Sequence, residues 1–231
     1  MDDIVRQAMA KWPNVPHCYG WLALDARGAW RMRDERAQQL GLPGDKLTQP
    51  ALLGFINRNY AADEDGRWYF QNGPQRVYLN LEATPFIART DPAQGFLLHT
   101  GAPFGEIDAA WLTECGELLL RSGDVLAQLD DRDFAQILPQ LELNGRPVGD
   151  NALLAWLDAA AEDAASLSPL TLHLGERTVP IAGISRADVP DTFKFKRLPE
   201  EAMLAAPMGS FNPQADPKSA SSAAINPTKS T

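Results

Sequence analysis

The sequence has few of the residues on which catalytic and metal sites are usually built. Its 231 residues include three histidines and two cysteines, Cys18 and Cys115. It has no phosphate-binding P-loop, dinucleotide-binding glycine pattern, nucleophile elbow or zinc-binding helix motif. The sequence therefore predicts no catalytic set, no metal and no cofactor, and so few thiols fit a reducing compartment.

Positive charge and long apolar runs are also scarce. Lys and Arg total 21 against 30 Asp and Glu, so the net charge is −9. A nucleic-acid binder needs a basic surface to neutralise phosphates, and the densest basic segment, FKFKR at residues 193–197, is better interpreted as a strand with solvated lysines. No apolar run approaches the roughly 20 residues that span a bilayer, and the N-terminal residues lack signal-peptide features. We therefore expect a cytoplasmic protein without nucleic-acid or membrane partners.

The most structured stretch of the sequence is residues 62–91, ADEDGRWYFQNGPQRVYLNLEATPFIARTD. An Asp-Gly and an Asn-Gly turn dipeptide bracket a short strand at residues 67–70, and apolar residues alternate with polar ones over residues 77–82. We interpret the aromatic side chains of this hairpin as core. The second interpretation is an interaction edge for a partner or an anionic ligand, with Arg67 and Arg76 beside exposed aromatics.

The chain also matches itself. Residues 44–56, GDKLTQPALLGFI, align with residues 145–157, GRPVGDNALLAWL, at an offset of 101. At the same offset, residues 75–85 align with residues 176–190 when a short insertion is allowed. Both copies run in the order turn, apolar helix, strand, turn, strand, proline. We interpret them as two copies of one α+β unit.

The predicted fold is therefore α+β, with two related strand-rich units, each with a helix, in one compact body. The first unit is expected over residues 1–91, and the second, with its linking hairpins, over residues 92–200. Residues 201–231 are rich in Pro, Ser and Ala and have few large apolar side chains. A segment of that composition cannot offset its own ordering entropy, so we expect a disordered tail.

Over residues 14–91 the order of several short motifs resembles an uncharacterised bacterial family, domain of unknown function 1285 (DUF1285), or a sister family. The matching positions are a Pro-Cys-Gly-like entry at 16–20, a Gly-aromatic strand at 28–30, a Leu-Leu helix at 52–53, an Asp-Gly-Arg-aromatic strand at 65–69 and an acid followed by Pro-Phe at 82–88. Tyr19 is an insertion relative to that pattern, and the QNGPQ turn replaces a Thr-Pro-Val-Glu-like segment. The resemblance implies an α+β architecture with repeated motifs and a regulatory or signalling role, and it supplies no catalytic residues.

Loops that join the two units contain most of the candidate binding residues. His99 and Thr100 lie in the turn of FLLHTGAPFG, a polar-Gly segment whose backbone N–H groups can hold a ligand, and Arg121 lies in a neighbouring hairpin. With Arg67 and Arg76 they form the predicted ligand-binding set, and a cleft between the units is the expected place for a site. The structural alternative for His99 is the solvent face of a hairpin strand.

Three functions fit these observations. The leading hypothesis is a non-enzymatic cytoplasmic module that binds a small-molecule ligand or a protein partner in a regulatory context. The first alternative is a hydrolase-like enzyme with a dispersed site of His17, Cys18, His99 and nearby acids, although adjacent side chains usually point apart. The second alternative is a structural subunit of a larger assembly, for which an apolar surface patch is expected.

Overall fold

Two mixed β-sheets with short helices around them form the fold of the computed structural model, which describes residues 1–162 and 167–199. The predicted disordered tail, residues 201–231, lies outside the described residues. The helices are α1 (Asp3–Lys11), α2 (Glu35–Gln39), α3 (Pro50–Arg58), α4 (Phe134–Ile137), α5 (Asp150–Glu162) and α6 (Val189–Thr192). The strands are β1 (Cys18–Leu24), β2 (Trp30–Met32), β3 (Asp45–Lys46), β4 (Tyr60–Ala62), β5 (Trp68–Asn72), β6 (Gln75–Leu81), β7 (Phe86–Asp91), β8 (Gly95–Leu98), β9 (Ala109–Thr113), β10 (Leu118–Ser122), β11 (Val125–Leu129), β12 (Leu141–Leu143), β13 (Arg146–Pro147), β14 (Leu170–Leu174) and β15 (Arg177–Ile184).

The first sheet has six strands in the order β3-β2-β1-β6-β5-β4, and the second has nine in the order β13-β12-β14-β15-β9-β10-β11-β7-β8. Most neighbouring strands are antiparallel, whereas β1 with β6, β15 with β9 and β11 with β7 are parallel. The α+β prediction is therefore confirmed. None of the helices in the described part of the chain is long and apolar enough to cross a membrane.

The two sheets share one arrangement of strands. In each, a central parallel pair is flanked by an antiparallel strand on either side, as β2-β1-β6-β5 in the first sheet and β10-β9-β15-β14 in the second. Helix α3 precedes the β5–β6 hairpin, and helix α5 precedes the β14–β15 hairpin. The predicted repeat aligns these same elements, but the duplication itself and the division between residues 91 and 92 remain predictions. Strand β7 belongs to the second sheet.

The first sheet packs against one face of the second. Successive side chains of a strand point to opposite faces, and β7 shows the consequence. Ile87 is buried in the core between the sheets, and Ala88 in a second core that includes Trp156 of α5. On β10, Leu119 and Leu120 divide between the two cores in the same way. The second sheet is therefore buried on both faces.

Strand β5 buries aromatic side chains on both of its faces. Phe70 lies in the core between the sheets. Tyr69 packs against Tyr78 on the opposite face, with ring centroids 5.7 Å apart. Because Tyr69 and Phe70 are each only 6% exposed, the hairpin within residues 62–91 is first of all a structural element.

Residues 193–197 do not form the strand that their alternating sequence suggests. Lys194 has a φ of +58°, which interrupts an extended backbone, and within the segment only Lys196 forms a β-bridge. The segment lies over the turn at Gly66, where a Cβ atom would be 2.2 Å from the carbonyl oxygen of Lys194. Phe195 is buried in the core between the sheets. The alternating apolar residues of this segment therefore anchor a turn and do not form a strand.

Replacing Ile87 by alanine tests the importance of the core between the sheets. Ile87 is fully buried there, so Ile87→Ala should lower the free energy of unfolding by about 2–5 kcal/mol in urea titrations, because it removes buried methyl groups and leaves a cavity. The matched control is Ile4→Ala, because Ile4 is 72% exposed and its change should be within about 0.5 kcal/mol. Equal effects of the two variants would contradict the packing described above.

Candidate functional site

A cleft of about 510 Å³ opens between the two sheets. One wall comes from the first sheet, through the β1–β2 turn, strands β2 and β3 and helix α3. The other wall comes from the ends of β7 and β8, the loop after β8 and the 3₁₀ turn that follows β11. The charged and imidazole side chains in its lining are Arg27, Arg31, Lys46, Arg89, Arg132, Asp25 and His99.

Asp25 shapes the wall formed by the β1–β2 turn. Its Oδ1 accepts hydrogen bonds from two backbone N–H groups of the turn, at 3.1 and 2.7 Å, and its Oδ2 accepts one from Nε of Arg31 at 2.8 Å. Gly28 has a φ of +77°, and a Cβ atom on it would lie 2.6 Å from Cβ of His99. The turn therefore needs glycine to approach His99 this closely.

Asp130 holds two arginines on the opposite wall. Its side chain is 1% exposed and accepts hydrogen bonds from Nε of Arg89 at 3.1 Å and Nε of Arg132 at 2.9 Å. Burial raises the pKa of Asp130, but hydrogen bonds from the side chain and backbone of Arg132 and the charges of both arginines outweigh it, and the pKa falls to about 2. The carboxylate is therefore ionised at neutral pH and fixes both guanidinium groups.

Positive charge is in excess in this cleft. Asp131 pairs with Arg27 through hydrogen bonds of 2.9 and 2.8 Å. With Asp25 and Asp130, it completes a set of three carboxylates that pair with four arginines, and among the described residues Lys46 has no ion-pair partner. The lining of the cleft itself has five cations and one carboxylate, Asp25, in a chain whose net charge is −9. Such a local concentration of positive charge attracts anions.

His99 lines the same cleft, and its imidazole ring packs among the rings of Trp30, Tyr60 and Phe86. Its Nδ1 accepts a hydrogen bond from the backbone N–H of Ile87 at 3.2 Å, which assigns the ring proton to Nε2. Burial lowers the pKa of His99 to about 3, so the ring is neutral. The Nε2 atom is buried and has no hydrogen-bond partner within the described residues. Folded proteins rarely leave a buried donor unsatisfied, and a ligand reaches this atom only by displacing the aromatic rings around it.

Two of the residues predicted from the sequence are at or beside the cleft. His99 lines it, and the backbone oxygen of Thr100 accepts a hydrogen bond from Asn57, which also lines it. Arg121 does not line the cleft. It pairs with Asp108 at 2.8 Å.

Arg67 and Arg76 lie on the outer face of the first sheet. Arg67 pairs with Asp63 at 2.8 Å and lies over the ring of Tyr78. Arg76 lies over the ring of Tyr69. The structure does not bring either arginine to His99, because the residues of β5 and β6 alternate between the two faces of the sheet.

The histidines named in the enzyme alternative contact different aromatic residues. His17 packs edge-on against Tyr78 at 5.5 Å, whereas His99 packs against Trp30 at 5.3 Å. The pairing of β2, β1 and β6 puts Trp30 and Tyr78 on opposite faces of the first sheet, so the two histidines are not brought together. The part of the chain that the structure describes has no group of three or more His, Cys, Asp or Glu side chains arranged to hold a metal ion.

Most of the residues that form the cleft were not predicted from the sequence. Arg27 and Asp131, for example, are 104 positions apart in the chain, and no local sequence pattern predicts that they pair. The available signal was the acidic run at residues 130–133, DDRD, which indicates the start of a helical turn. The same run also supplies Asp130, which anchors Arg89. This role depends on the position of β7 in the tertiary structure.

A second cavity, of about 620 Å³, lies next to this cleft, and Thr90 lines both. Its lining includes the buried apolar side chains of Phe96 and Ile107. Its charged groups already have partners, because Glu106 pairs with Arg177 and Asp91 accepts two backbone N–H bonds. The smaller cleft has five cations in its lining against one, Arg177, in the second cavity, so it is the better candidate for an anion site although the second cavity is larger.

The fold and the cleft define an α+β protein of two mixed sheets with a cationic cleft between them. The family model DUF2944, described as "Protein of unknown function (DUF2946)", matches residues 1–200, and the chain belongs to this family. The match extends well beyond residues 14–91, which carried the resemblance to DUF1285.

Two solved structures are similar to this chain. A DUF1285 family protein from Silicibacter pomeroyi DSS-3 is 15% identical, with a TM-score of 0.41, over 79% of this chain and 96% of that one. A DUF1285 family protein from Shewanella baltica OS155 is 14% identical, with a TM-score of 0.35, over 50% of this chain and 88% of that one. No curated protein matches the chain.

The low pKa of Asp130 makes a prediction about acid stability. The pKa is about 2 in the folded protein against an ordinary value of 3.8, so the ionised carboxylate stabilises the fold above pH 4, and this contribution is lost as the pH falls toward 2. We expect the difference in unfolding free energy between wild type and Asp130→Asn to shrink by about 2 kcal/mol from pH 5 to pH 2. Urea titrations at each pH measure it.

The control for this prediction is Asp158→Asn, a change at an exposed position of α5. Its unfolding free energy should follow that of the wild type over the whole pH range, because Asp158 forms no ion pair with a described residue. If the Asp130→Asn difference is the same at pH 5 and pH 2, Asp130 does not stabilise the fold as an ion.

Proposed function

We propose that this protein is a non-enzymatic cytoplasmic module that binds a small anionic molecule in the cleft between its sheets, in a regulatory role. The observation that carries this proposal is the excess of positive charge at one place in an acidic chain. Anions in solution are drawn to such a cleft and repelled by most of the remaining surface. The acidic surface also disfavours large polyanions, which agrees with a small ligand.

The arginines are held in place before a ligand arrives. Arg89 and Arg132 share Asp130, and Arg27 and Arg31 each have an aspartate of their own. A guanidinium group has five N–H donors, so a carboxylate that accepts two of them leaves the others for a ligand. Because the side chains are already ordered, binding costs less conformational entropy than it would with free arginines.

His99 adds a donor of a different kind. A neutral imidazole N–H can hydrogen-bond an oxygen of the ligand without adding charge, and its position is fixed by Ile87 and by the close approach of Gly28. Satisfying a buried donor that has no partner is worth about 1–3 kcal/mol. A ligand oxygen that displaces the rings around Nε2 would remove this cost.

We further propose that DUF1285 is a sister family of DUF2944 and that the two sheets of this chain are copies of one unit. The order of the motifs over residues 14–91 supports the first proposal. The second is supported by the shared strand arrangement of the two sheets and by the self-alignment at an offset of 101. A duplicated scaffold that binds a ligand between its two copies fits a sensor better than an enzyme whose catalytic residues all come from one side of the site.

Thermal-shift measurements of the full chain against a panel of small anions test the proposed function. The panel contains inorganic phosphate, citrate, nucleotides and sugar phosphates. An anion at a hundredfold excess over its dissociation constant should stabilise the folded state by about 2.7 kcal/mol and so raise the midpoint. The shift should fall as salt rises, because screening weakens a site built on charge.

Arg89→Met locates the binding to the cleft. Asp130 keeps Arg132 as a partner in this variant, so the fold should survive, and the affinity for the best anion should fall about tenfold because one charge-assisted contact is lost. Arg121→Met removes an arginine from the exposed pair with Asp108 and should leave the affinity unchanged. A panel without any hit, or equal losses in the two variants, would argue against an anion site in the cleft.

A further inference from the structure

We infer that the anion which the cleft binds carries a terminal phosphate group, as in a phosphate monoester with an apolar or aromatic body, and this inference rests on the proposed function. The evidence is the way in which three arginines are anchored. Arg27 binds Asp131 through Nε and Nη2, and Arg89 and Arg132 each bind Asp130 through the same two nitrogens. In each case the carboxylate occupies the same edge of the guanidinium group.

The third nitrogen, Nη1, is left over in all three arginines. Within the described residues, no acceptor binds Nη1 of Arg27, Arg89 or Arg132. The three groups belong to one cluster, because Asp130 and Asp131 are consecutive and Nη2 of Arg89 also donates to the backbone oxygen of Arg27 at 3.3 Å. The cluster therefore offers three Nη1 groups with two N–H donors each.

This set of donors matches a terminal phosphate better than a carboxylate. A terminal phosphate has three strong acceptor oxygens for the three Nη1 groups of this cluster, to which Arg31 adds a fourth in the same cleft, whereas a carboxylate has two oxygens. A phosphate monoester also carries close to two negative charges at neutral pH, against one for a carboxylate, and the lining of the cleft has five cations and one carboxylate, Asp25. A carboxylate would leave at least one of the three Nη1 groups without an acceptor.

The rest of the cleft indicates what the phosphate is attached to. A volume of about 510 Å³ is in the range of sites for whole small molecules, and it exceeds what a phosphate ion needs. Trp30, Leu47, Leu53 and Leu97 are the large apolar side chains that line it beside His99 and Leu98. An apolar or aromatic body would bury its surface against these side chains.

The pH dependence of binding separates phosphate from carboxylate. The charged and titratable groups around the cleft are Asp25, Glu82, Asp130, Asp131, Asp133, Arg27, Arg31, Lys46, Arg89, Arg132 and His99. Carboxyl, lysine and guanidinium groups ordinarily titrate outside the range pH 5.0–7.5, and burial keeps His99 neutral over it. A phosphate monoester gains its second charge near pH 6, whereas a carboxylic acid is already ionised at pH 5.0.

Calorimetric titration of the full chain at pH 5.0 and 7.5 tests the inference, with phenyl phosphate, benzoate and inorganic phosphate as the three probes. At pH 7.5 phenyl phosphate should bind about tenfold more tightly than benzoate, because it has one more oxygen and one more charge for the arginines. Its affinity should fall severalfold at pH 5.0, and the affinity for benzoate should stay constant. Inorganic phosphate should bind more weakly than phenyl phosphate, since it lacks the apolar body.

Arg27→Lys links the preference to the three-arginine cluster, because it keeps the charge and removes the Nη1 group. It should reduce the preference for phenyl phosphate over benzoate severalfold, while Arg121→Lys should leave it unchanged. Equal affinities for phenyl phosphate and benzoate, with no change between the two pH values, would overturn the phosphate inference and leave the proposed anion site standing. If none of the three probes binds at either pH, the proposed function itself fails for anions of this size.

Discussion

The packing of the two sheets against each other is the constraint on which the rest of the structure depends. Ile87 lies at its centre, because its side chain fills the core between the sheets while its backbone binds His99 in both directions. The N–H of Ile87 donates to Nδ1 of His99, and its carbonyl oxygen accepts the N–H of His99 at 2.7 Å. One buried residue thereby fixes the ring, the tautomer and the loop of His99. The walls of the cleft belong to different sheets, so the geometry of the cleft follows from this packing.

A second recurring element is the aspartate that closes a turn and anchors an arginine at the same time. Asp25, Asp63 and Asp108 each accept at least one backbone N–H bond within or near a hairpin turn and pair with an arginine of that hairpin. Such an aspartate offers about four acceptor positions, enough for both tasks. The device explains the roles of Arg67 and Arg121, which the sequence suggested as ligand contacts. Their guanidinium groups stabilise the hairpins in which they occur.

The sequence allowed the fold class and many of its hairpins to be predicted, because alternation and turn dipeptides are local signals. The turn after β1 and the aromatic strand β5 lie where the pattern placed them. The FKFKR segment shows the limit of such signals, since the positive φ of Lys194 is set by its contact with the turn at Gly66. The same alternation of apolar and polar side chains occurs in a strand and in a turn that buries every second side chain. The pattern alone therefore does not distinguish the two.

The sequence predicts a cleft between two units, whose division stays a prediction, and the structure has a cleft between the two sheets that His99 lines. Its arginines come from the β1–β2 turn, from the end of β7 and from the turn after β11, and they meet because of pairings across 41 and 104 residues of sequence. The composition of the chain hides them, since its net charge is −9. The local excess of positive charge arises only in the tertiary structure, whereas the composition of the whole chain is acidic.

The position of Asp130 explains how such a cluster can exist without a ligand. Two like charges 4 Å apart repel by about 4 kcal/mol at an effective dielectric constant of about 20, so neighbouring guanidinium groups would move apart into solvent if nothing held them. Asp130 attracts both Arg89 and Arg132 from a buried position, and Asp131 attracts Arg27 from the adjacent residue. The carboxylates thus offset most of the repulsion, while their place behind the arginines leaves the remaining N–H groups uncovered. An aspartate pair that would weaken an anion site by its charge is, in this position, what allows the site to form.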